Sequence, residues 1–219
     1  MSMKYILILF INMWIMQPLF GQNGLRGSDV ITDSSAHAAA DVLRRTAAVF
    51  EQSGGMSLNF IVSAPEGEQT GTIYLKGERF RLDTPMMTTW FDGKTQWTYV
   101  MDNEEVNVSE PTAEEMQGLN PYAWLKIWEK GYRLRLLKES DKQVSVQMSA
   151  MQNKQQIVSM VVVVDKRTFM PMRISLVPRG SRQATVVRVN KYEVGQKFGN
   201  SFFVFDAKKY PQAEIIDLR

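Results

Sequence analysis

The sequence contains no cysteine and only one histidine. The absence of cysteine excludes disulfide bonds, thiolate nucleophiles, cysteine metal ligands and a lipid anchor on an N-terminal cysteine. The one histidine, His37, lies at the start of a predicted helix, where a lone histidine is more often solvent-exposed than catalytic. A single histidine cannot build a typical metal site, so we predict neither a metal nor a cofactor.

Catalytic signatures are also scarce. The sequence has no Gly-x-Ser-x-Gly motif, no P-loop and no dinucleotide-binding fingerprint. The acidic residues Asp102, Glu104 and Glu105 follow a predicted strand, which indicates a solvated turn. We therefore predict that the protein is not an enzyme, with a hydrolase that uses paired carboxylates as the alternative. The net charge of +3 comes without a dense Lys/Arg stripe, so we predict no nucleic-acid partner.

The N-terminus has the pattern of a secretory signal peptide. Lys4 precedes an almost unbroken apolar run over residues 5–16, Pro18 interrupts it, and Gly21 supplies a small residue. The run is too short to span a bilayer comfortably, although an N-terminal anchor is the alternative. We predict a cleaved signal peptide over residues 1–21, a flexible segment over residues 22–35 and one domain over residues 36–219. The mature protein is then expected in the periplasm.

Hydrophobic periodicity predicts a helix followed by antiparallel strands. Candidate N-caps at residues 33–35 precede apolar residues at helical spacing, and Gly54 and Gly55 end that pattern. From Met56 onward the period changes to two, which is typical of strands with one apolar face. Asp92-Gly93 predicts a hairpin with a tight type I′ turn. The other predicted strands cover residues 133–137, 143–148, 155–164, 171–177, 184–190 and 202–205.

A predicted helical region interrupts the strands. Thr112 and Glu115 have the spacing of a capping box, and Asn120-Pro121 has the pattern of a second helix start. Because a long meander must curl to bury one face, the sequence favours an α+β fold that is mainly antiparallel β. We predict an incomplete (half) β-barrel with helices covering its open concave face.

Three ordered motifs resemble the LolA family of outer-membrane lipoprotein carriers. The first is the strand that Gly71 begins, with Ile73 and Leu75. The second is the strand Arg79-Phe80-Arg81-Leu82, and the third is the hairpin Asp92-Gly93-Lys94 with Trp97 and Tyr99. Further similarity comes from residues 120–122 and from residues 203–205 and 215–217 near the C-terminus.

The resemblance implies a fold, a task and partners. It implies a monomeric periplasmic chaperone of lipoprotein transport that takes part in outer-membrane biogenesis. Such carriers accept lipoproteins from an inner-membrane ABC-type releasing complex and deliver them to an outer-membrane acceptor. Lipoprotein acyl chains, or another lipid, would lie in the cavity. The fourteen methionines and five tryptophans fit this task, because methionine adapts to varied apolar partners.

The same resemblance implies which residues line the acyl cavity. They are Phe60, Ile73, Leu75, Phe80, Leu82, Trp97, Tyr99, Trp124, Leu125 and Trp128, with the last three on the covering helix. For each residue, ordinary packing between sheet and helix is the alternative.

One position departs from the family pattern. In the family, an arginine in the turn before the second strand holds the covering helices closed, whereas this sequence has Gly77 there. The strand alternation points the neighbouring Arg79 and Arg81 outward. The missing latch leaves a second hypothesis open, a periplasmic lipid-sensing or regulatory module on the same fold that does not transport cargo.

Overall fold

The structure is a computed structural model that describes residues 33–112, 127–129, 131–153 and 155–219. The predicted signal peptide, most of the predicted flexible segment and both predicted helix starts beyond Thr112 lie outside the described residues. The helix α1 spans Asp33–Gln52. Twelve strands follow: β1 Met56–Ala64, β2 Gly67–Lys76, β3 Arg79–Asp83, β4 Met87–Phe91, β5 Gln96–Val100, β6 Glu105–Ser109, β7 Tyr132–Glu139, β8 Gln143–Ala150, β9 Ile157–Asp165, β10 Pro171–Pro178, β11 Thr185–Val194 and β12 Glu214–Asp217. Short 3₁₀ helices span Ile127–Glu129, Asn200–Phe203 and Ala207–Lys209.

All twelve strands form one sheet in the order β12-β6-β5-β4-β3-β2-β1-β11-β10-β9-β8-β7. Neighbouring strands are antiparallel, except that β12 pairs parallel to β6. The sheet does not close, because β12 and β7 are its two edges. Strand β1 pairs with β2 on one side and with β11 on the other, so it joins the two halves of the chain. The predicted α+β incomplete barrel is confirmed.

Helix α1 lies on one face of this sheet, which we call the inner face. Its buried apolar positions are Ala39, Leu43, Ala47 and Phe50, as the helical spacing predicts, and Thr46 is buried beside them. The first half of the helix packs against a core cluster that includes Leu134 on β7 and Val146 on β8. The second half packs against a cluster on β1 to β4. One helix therefore covers the inner side of both halves of the sheet.

The ends of α1 have clear local causes. Asp33 and Ser34 are already helical, and the Ser35 hydroxyl oxygen accepts a hydrogen bond from the backbone N–H of Leu136 at 3.2 Å. The candidate N-caps at residues 33–35 therefore lie inside the helix rather than before it. At the other end Gly54 has a φ of +68°, the left-handed conformation that favours glycine after a helix.

The predicted hairpin at Asp92-Gly93 is confirmed, but the predicted two-residue turn is wrong. Phe91 pairs with Gln96, so the loop holds the four residues 92–95. The side chain of Asp92 accepts hydrogen bonds from the backbone N–H groups of Lys94 and Thr95 at 2.9 and 2.8 Å. This Asx-type turn satisfies backbone N–H groups of the four-residue loop, and it does not need a positive φ at Asp92.

The strand predicted over residues 202–205 is also wrong. Phe202 and Phe203 belong to a 3₁₀ helix, and the nearby strand is β12 at Glu214–Asp217. The aromatic and β-branched residues of this run favour a strand, whereas here Phe202 and Phe205 pack their rings on the sheet. Among the described helices, none is long and apolar enough to cross a membrane.

The packing of α1 leads to a stability prediction. Leu43 is fully buried, so Leu43→Ala should leave a cavity and lower the free energy of unfolding by about 2–5 kcal/mol. Urea unfolding followed by circular dichroism measures this change. Arg44→Ala is the matched control, since the Arg44 side chain is 60% exposed, and it should change the free energy by less than about 0.5 kcal/mol. Equal effects of the two variants would contradict this placement of the helix.

Candidate functional site

The inner face changes from apolar to polar along the sheet. Directly opposed residues on neighbouring strands point to the same face, so the register defines rows of side chains across the strands. One row runs Met56, Leu75, Phe80, Phe91, Gln96 and Ser109. The next row runs Leu58, Ile73, Leu82, Thr89, Thr98 and Asn107. Both rows are apolar on β1 to β3 and polar on β5 and β6.

The apolar part of the inner face contains four of the predicted site residues. Ile73, Leu75 and Phe80 are nearly fully buried in one cluster with Phe50 of α1, and Leu82 is half-buried beside them. The rings of Phe80 and Phe91 stack with centroids 5.4 Å apart. The structure therefore brings these predicted residues together, and the helix covers them.

Phe60, another predicted site residue, lies where the two core clusters meet. It packs on the cluster under the first half of α1 and on the cluster under the second half. Its cross-strand partner on β2 is Gly71. A Cβ at Gly71 would lie 2.6 Å from the end of the Phe60 ring, so only glycine leaves room for the ring. This contact explains the glycine in the first motif.

The polar part of the inner face carries a small hydrogen-bonded group that the sequence analysis missed. Thr89, Gln96 and Thr98 are each at most 6% exposed. The two threonine hydroxyls are 3.2 Å apart, and Gln96 Nε2 donates to Thr98 Oγ1 at 3.4 Å. Period-two alternation places these residues on the inner face, but the sequence pattern does not indicate that they are buried.

Trp97 and Tyr99 do not lie with the other predicted site residues. They pair with Trp90 and Thr88, on the rows that also contain Arg81 and Asp83, so they point to the outer face. The prediction that they face the same cavity as Phe80 is wrong. The reason is register: Phe91 opposes Phe80, and its partner on β5 is Gln96 rather than Trp97.

The outer face of β3 to β6 is covered by residues 198–219, which we call the C-terminal segment. Tyr210 packs its ring against Tyr99 at 4.6 Å, Phe205 at 5.4 Å and Trp90 at 5.7 Å, measured between centroids. Burial raises the pKa of the Tyr210 phenol above its ordinary value, which accords with a ring held against the sheet. The aromatic residues of the third motif therefore hold the C-terminal segment in place.

The arginines beside Gly77 take part in the same outer packing. The Arg81 guanidinium lies 5.6 Å from the Trp90 ring centroid and 5.0 Å from that of Phe202, and Arg81 Nε donates to Asp83 at 2.9 Å. Arg79 donates to the Asn200 side chain. The expectation that both arginines point outward is confirmed, so the described contacts of Arg79 and Arg81 are to the C-terminal segment and the sheet.

The predicted covering helix is only partly described. Trp128 lies in the 3₁₀ helix Ile127–Glu129, is half-buried and packs on the cluster under the first half of α1. Trp124 and Leu125 lie outside the described residues. The covering residues that sequence reasoning missed are those of α1, chiefly Leu43 and Phe50. Their helical spacing predicts the helix and its buried stripe, but it does not indicate that this stripe lies on the predicted site residues.

These features define a class of protein, in which an open antiparallel sheet carries a long helix on an apolar inner face. The sequence matches the family model described as "Outer membrane lipoprotein carrier protein LolA" over residues 31–180. This match covers more than half of the 219-residue chain, and the chain therefore belongs to the LolA family. No curated protein matches the sequence.

One solved structure shares the fold at low sequence identity, and others are similar with lower TM-scores. An uncharacterized conserved protein from Thermus thermophilus is similar with a TM-score of 0.57 and 14% identity, over 82% of this chain and 99% of that chain. A putative outer membrane lipoprotein-sorting protein domain from Vibrio parahaemolyticus has a TM-score of 0.43 and 12% identity, over 76% and 97%. The Mycobacterium tuberculosis lipoprotein LppX has a TM-score of 0.45 and 8% identity, over 75% and 100%.

The outer packing predicts a role for Tyr210 in stability. Tyr210→Ala removes three ring contacts and should lower the free energy of unfolding by about 2 kcal/mol. It should also speed proteolysis within residues 205–219, which mass spectrometry of the fragments detects. The control is Tyr192→Ala, since the Tyr192 ring is 38% exposed on β11. If Tyr210→Ala left proteolysis and stability unchanged, the aromatic contacts would not hold this segment.

Proposed function

We propose that this protein is a periplasmic carrier that shields the acyl chains of lipoproteins, or of a related lipid, on the inner face of its sheet. In this proposal it accepts cargo from an inner-membrane ABC-type complex and passes it to an outer-membrane acceptor. It performs no catalysis. The observation that carries the proposal is the apolar part of the inner face, which lies under one helix in a chain of the LolA family.

The physical task sets the required surface. The transfer of an acyl chain of about fifteen methylenes from water to an apolar surface is favourable by roughly 12 kcal/mol. Ile73, Leu75, Phe80 and Leu82 are contiguous on β2 and β3, so they offer one apolar surface to such a chain. Phe91 extends that surface by one strand.

Helix α1 already packs on this surface, so cargo must take the place of helix contacts. Three of its five buried positions are Ala39, Thr46 and Ala47, which bury little apolar area. Displacing α1 therefore costs less than displacing a helix with leucine at every buried position. In the proposed cycle, acyl chains replace α1 on the sheet, and α1 returns when they leave.

The half-buried Leu82 gives a first test. Leu75 and Phe80 are nearly fully buried, so a polar residue at either position would unfold the protein. Leu82→Gln keeps the side-chain volume and should lower the amount of co-purified acylated cargo at least about tenfold, because the inner face becomes less apolar. Full-length protein co-expressed with a lipoprotein and purified from the periplasm is examined by native mass spectrometry.

The matched control for Leu82→Gln is Ile61→Gln. Ile61 is also half-buried, but it lies on the outer face, where its partner on β11 is Arg188. This variant should carry as much cargo as the wild type. Wild-type protein that never carries acylated cargo would refute the proposal, and equal loss in both variants would refute the assignment to the inner face.

Displacement of α1 gives a second test. Ser35 Oγ accepts from the backbone N–H of Leu136 on β7, so this end of the helix lies against the sheet. The pair Ser35→Cys with Leu136→Cys is designed to tie it there through a disulfide, whose formation is first checked by mass spectrometry. The natural chain has no cysteine to compete. The oxidised double variant should take up cargo at least about tenfold more slowly, and reduction should restore uptake.

The single variant Ser35→Cys controls for the loss of the serine hydroxyl. If the oxidised double variant loaded as fast as its reduced form, α1 would not need to leave the sheet at this end. Transfer of the loaded lipoprotein to vesicles then separates a carrier from a sensor. A carrier releases its cargo to the acceptor membrane, whereas a protein that binds lipid and keeps it would support the regulatory alternative.

A further inference from the structure

The polar group on the inner face lies next to the proposed acyl surface. Gln96 on β5 is the cross-strand partner of Phe91, and Phe91 stacks on Phe80. Thr98 and Thr89 are partners in the neighbouring row, which continues through Leu82 and Ile73. A chain lying on the apolar part of the inner face would therefore reach this group at one end.

Gln96 has an unused hydrogen-bond acceptor. Its side chain is 6% exposed, and its Nε2 atom is bonded to Thr98, whereas no described group donates to its Oε1 atom. An unpaired buried carbonyl oxygen is destabilising, and native proteins rarely keep one without a reason. Because Nε2 bonds to Thr98 Oγ1, Oε1 is the end of the carboxamide that is left for another partner.

The surrounding charge limits what could pair with this oxygen. On the inner face of β4 to β6, the one ionisable side chain among the described residues is Glu105, at the far end of β6. A carboxylate ligand at Gln96 would meet an acceptor oxygen, with no cation on the inner face of these strands to balance its charge. A neutral group with an N–H or O–H can donate to Gln96 Oε1 and can also accept from a threonine hydroxyl.

We propose that Gln96, with Thr98 and Thr89, binds the neutral polar head of the acyl ligand, an amide or hydroxyl group that donates a hydrogen bond to Gln96 Oε1. This inference rests on the proposed function, because it assumes that the acyl chain lies on the apolar part of the inner face. It adds the class of ligand: an acyl chain whose head is neutral and carries a donor.

The test compares three ligands that have the same chain. Palmitamide has N–H donors, methyl palmitate has only acceptors, and palmitate is charged at neutral pH. Each ligand displaces an environment-sensitive fluorescent probe from the full-length protein. Wild-type protein should bind palmitamide about tenfold more tightly than methyl palmitate, and palmitate more weakly than palmitamide.

The variant Gln96→Leu separates head recognition from chain binding. It should abolish the preference for palmitamide, whereas methyl palmitate should bind at least as tightly as it does to the wild type, because leucine makes this part of the inner face more apolar. It should also raise the urea midpoint of the empty protein, because it removes a buried unpaired acceptor, whereas a merely structural glutamine would lower that midpoint on removal. Thr88→Val is the matched control: Thr88 is equally buried on β4 but faces outward, so neither the preference nor the affinity should change.

The outcomes distinguish this inference from the function on which it rests. Equal wild-type affinity for palmitamide and methyl palmitate would overturn the assignment of the head group and leave acyl binding intact. If Gln96→Leu bound neither palmitamide nor methyl palmitate, the assignment of the head group would also be overturned, since Gln96 would then support the site as a whole. If the wild type bound none of the three ligands, the proposed function would fail and this inference with it.

Discussion

The structure depends on one constraint: strands β3 and β4 have large side chains on both faces, so each face needs its own cover. On the inner face, α1 packs on Phe80 and its neighbours. On the outer face, Phe205 and Tyr210 pack on Trp90 and Tyr99. An antiparallel sheet usually exposes one face to water, but burial of both faces removes more apolar area and holds each strand from two sides.

The two covers differ in how firmly they are attached. The outer cover combines ring contacts, the Arg81 guanidinium between two rings and a strand, β12, that pairs with β6. The inner cover is a helix with a narrow apolar stripe in which alanine alternates with larger residues. A ligand should therefore displace the inner cover more easily than the outer one, because the inner cover has fewer strong contacts with the sheet. This asymmetry matches a protein whose outer side maintains the fold while its inner side exchanges partners.

The fold class could be predicted from the sequence because strong local hydrophobic patterns identify the helix and most of the strands. Helical spacing located α1, and period-two alternation located most strands, since both patterns report burial directly. Alternation alone could not assign Trp97 to a face of the sheet, because that requires knowing which residue of β5 opposes Phe91. The four-residue loop set by the Asp92 side chain decides this register. The burial of Gln96 could not be predicted from the sequence either, since polar side chains give no periodic signal of burial.

The parallel pairing of β12 with β6 also shapes how the chain folds. Residues 105–108 of β6 pair with residues 214–217, so about a hundred residues must be synthesised before that edge can form. Contacts this distant along the chain are slow to form, because a long loop must close first. Until then the aromatic outer side of β3 to β6 stays uncovered and prone to aggregation. The nascent chain is therefore expected to expose this aromatic surface until its last strand has paired.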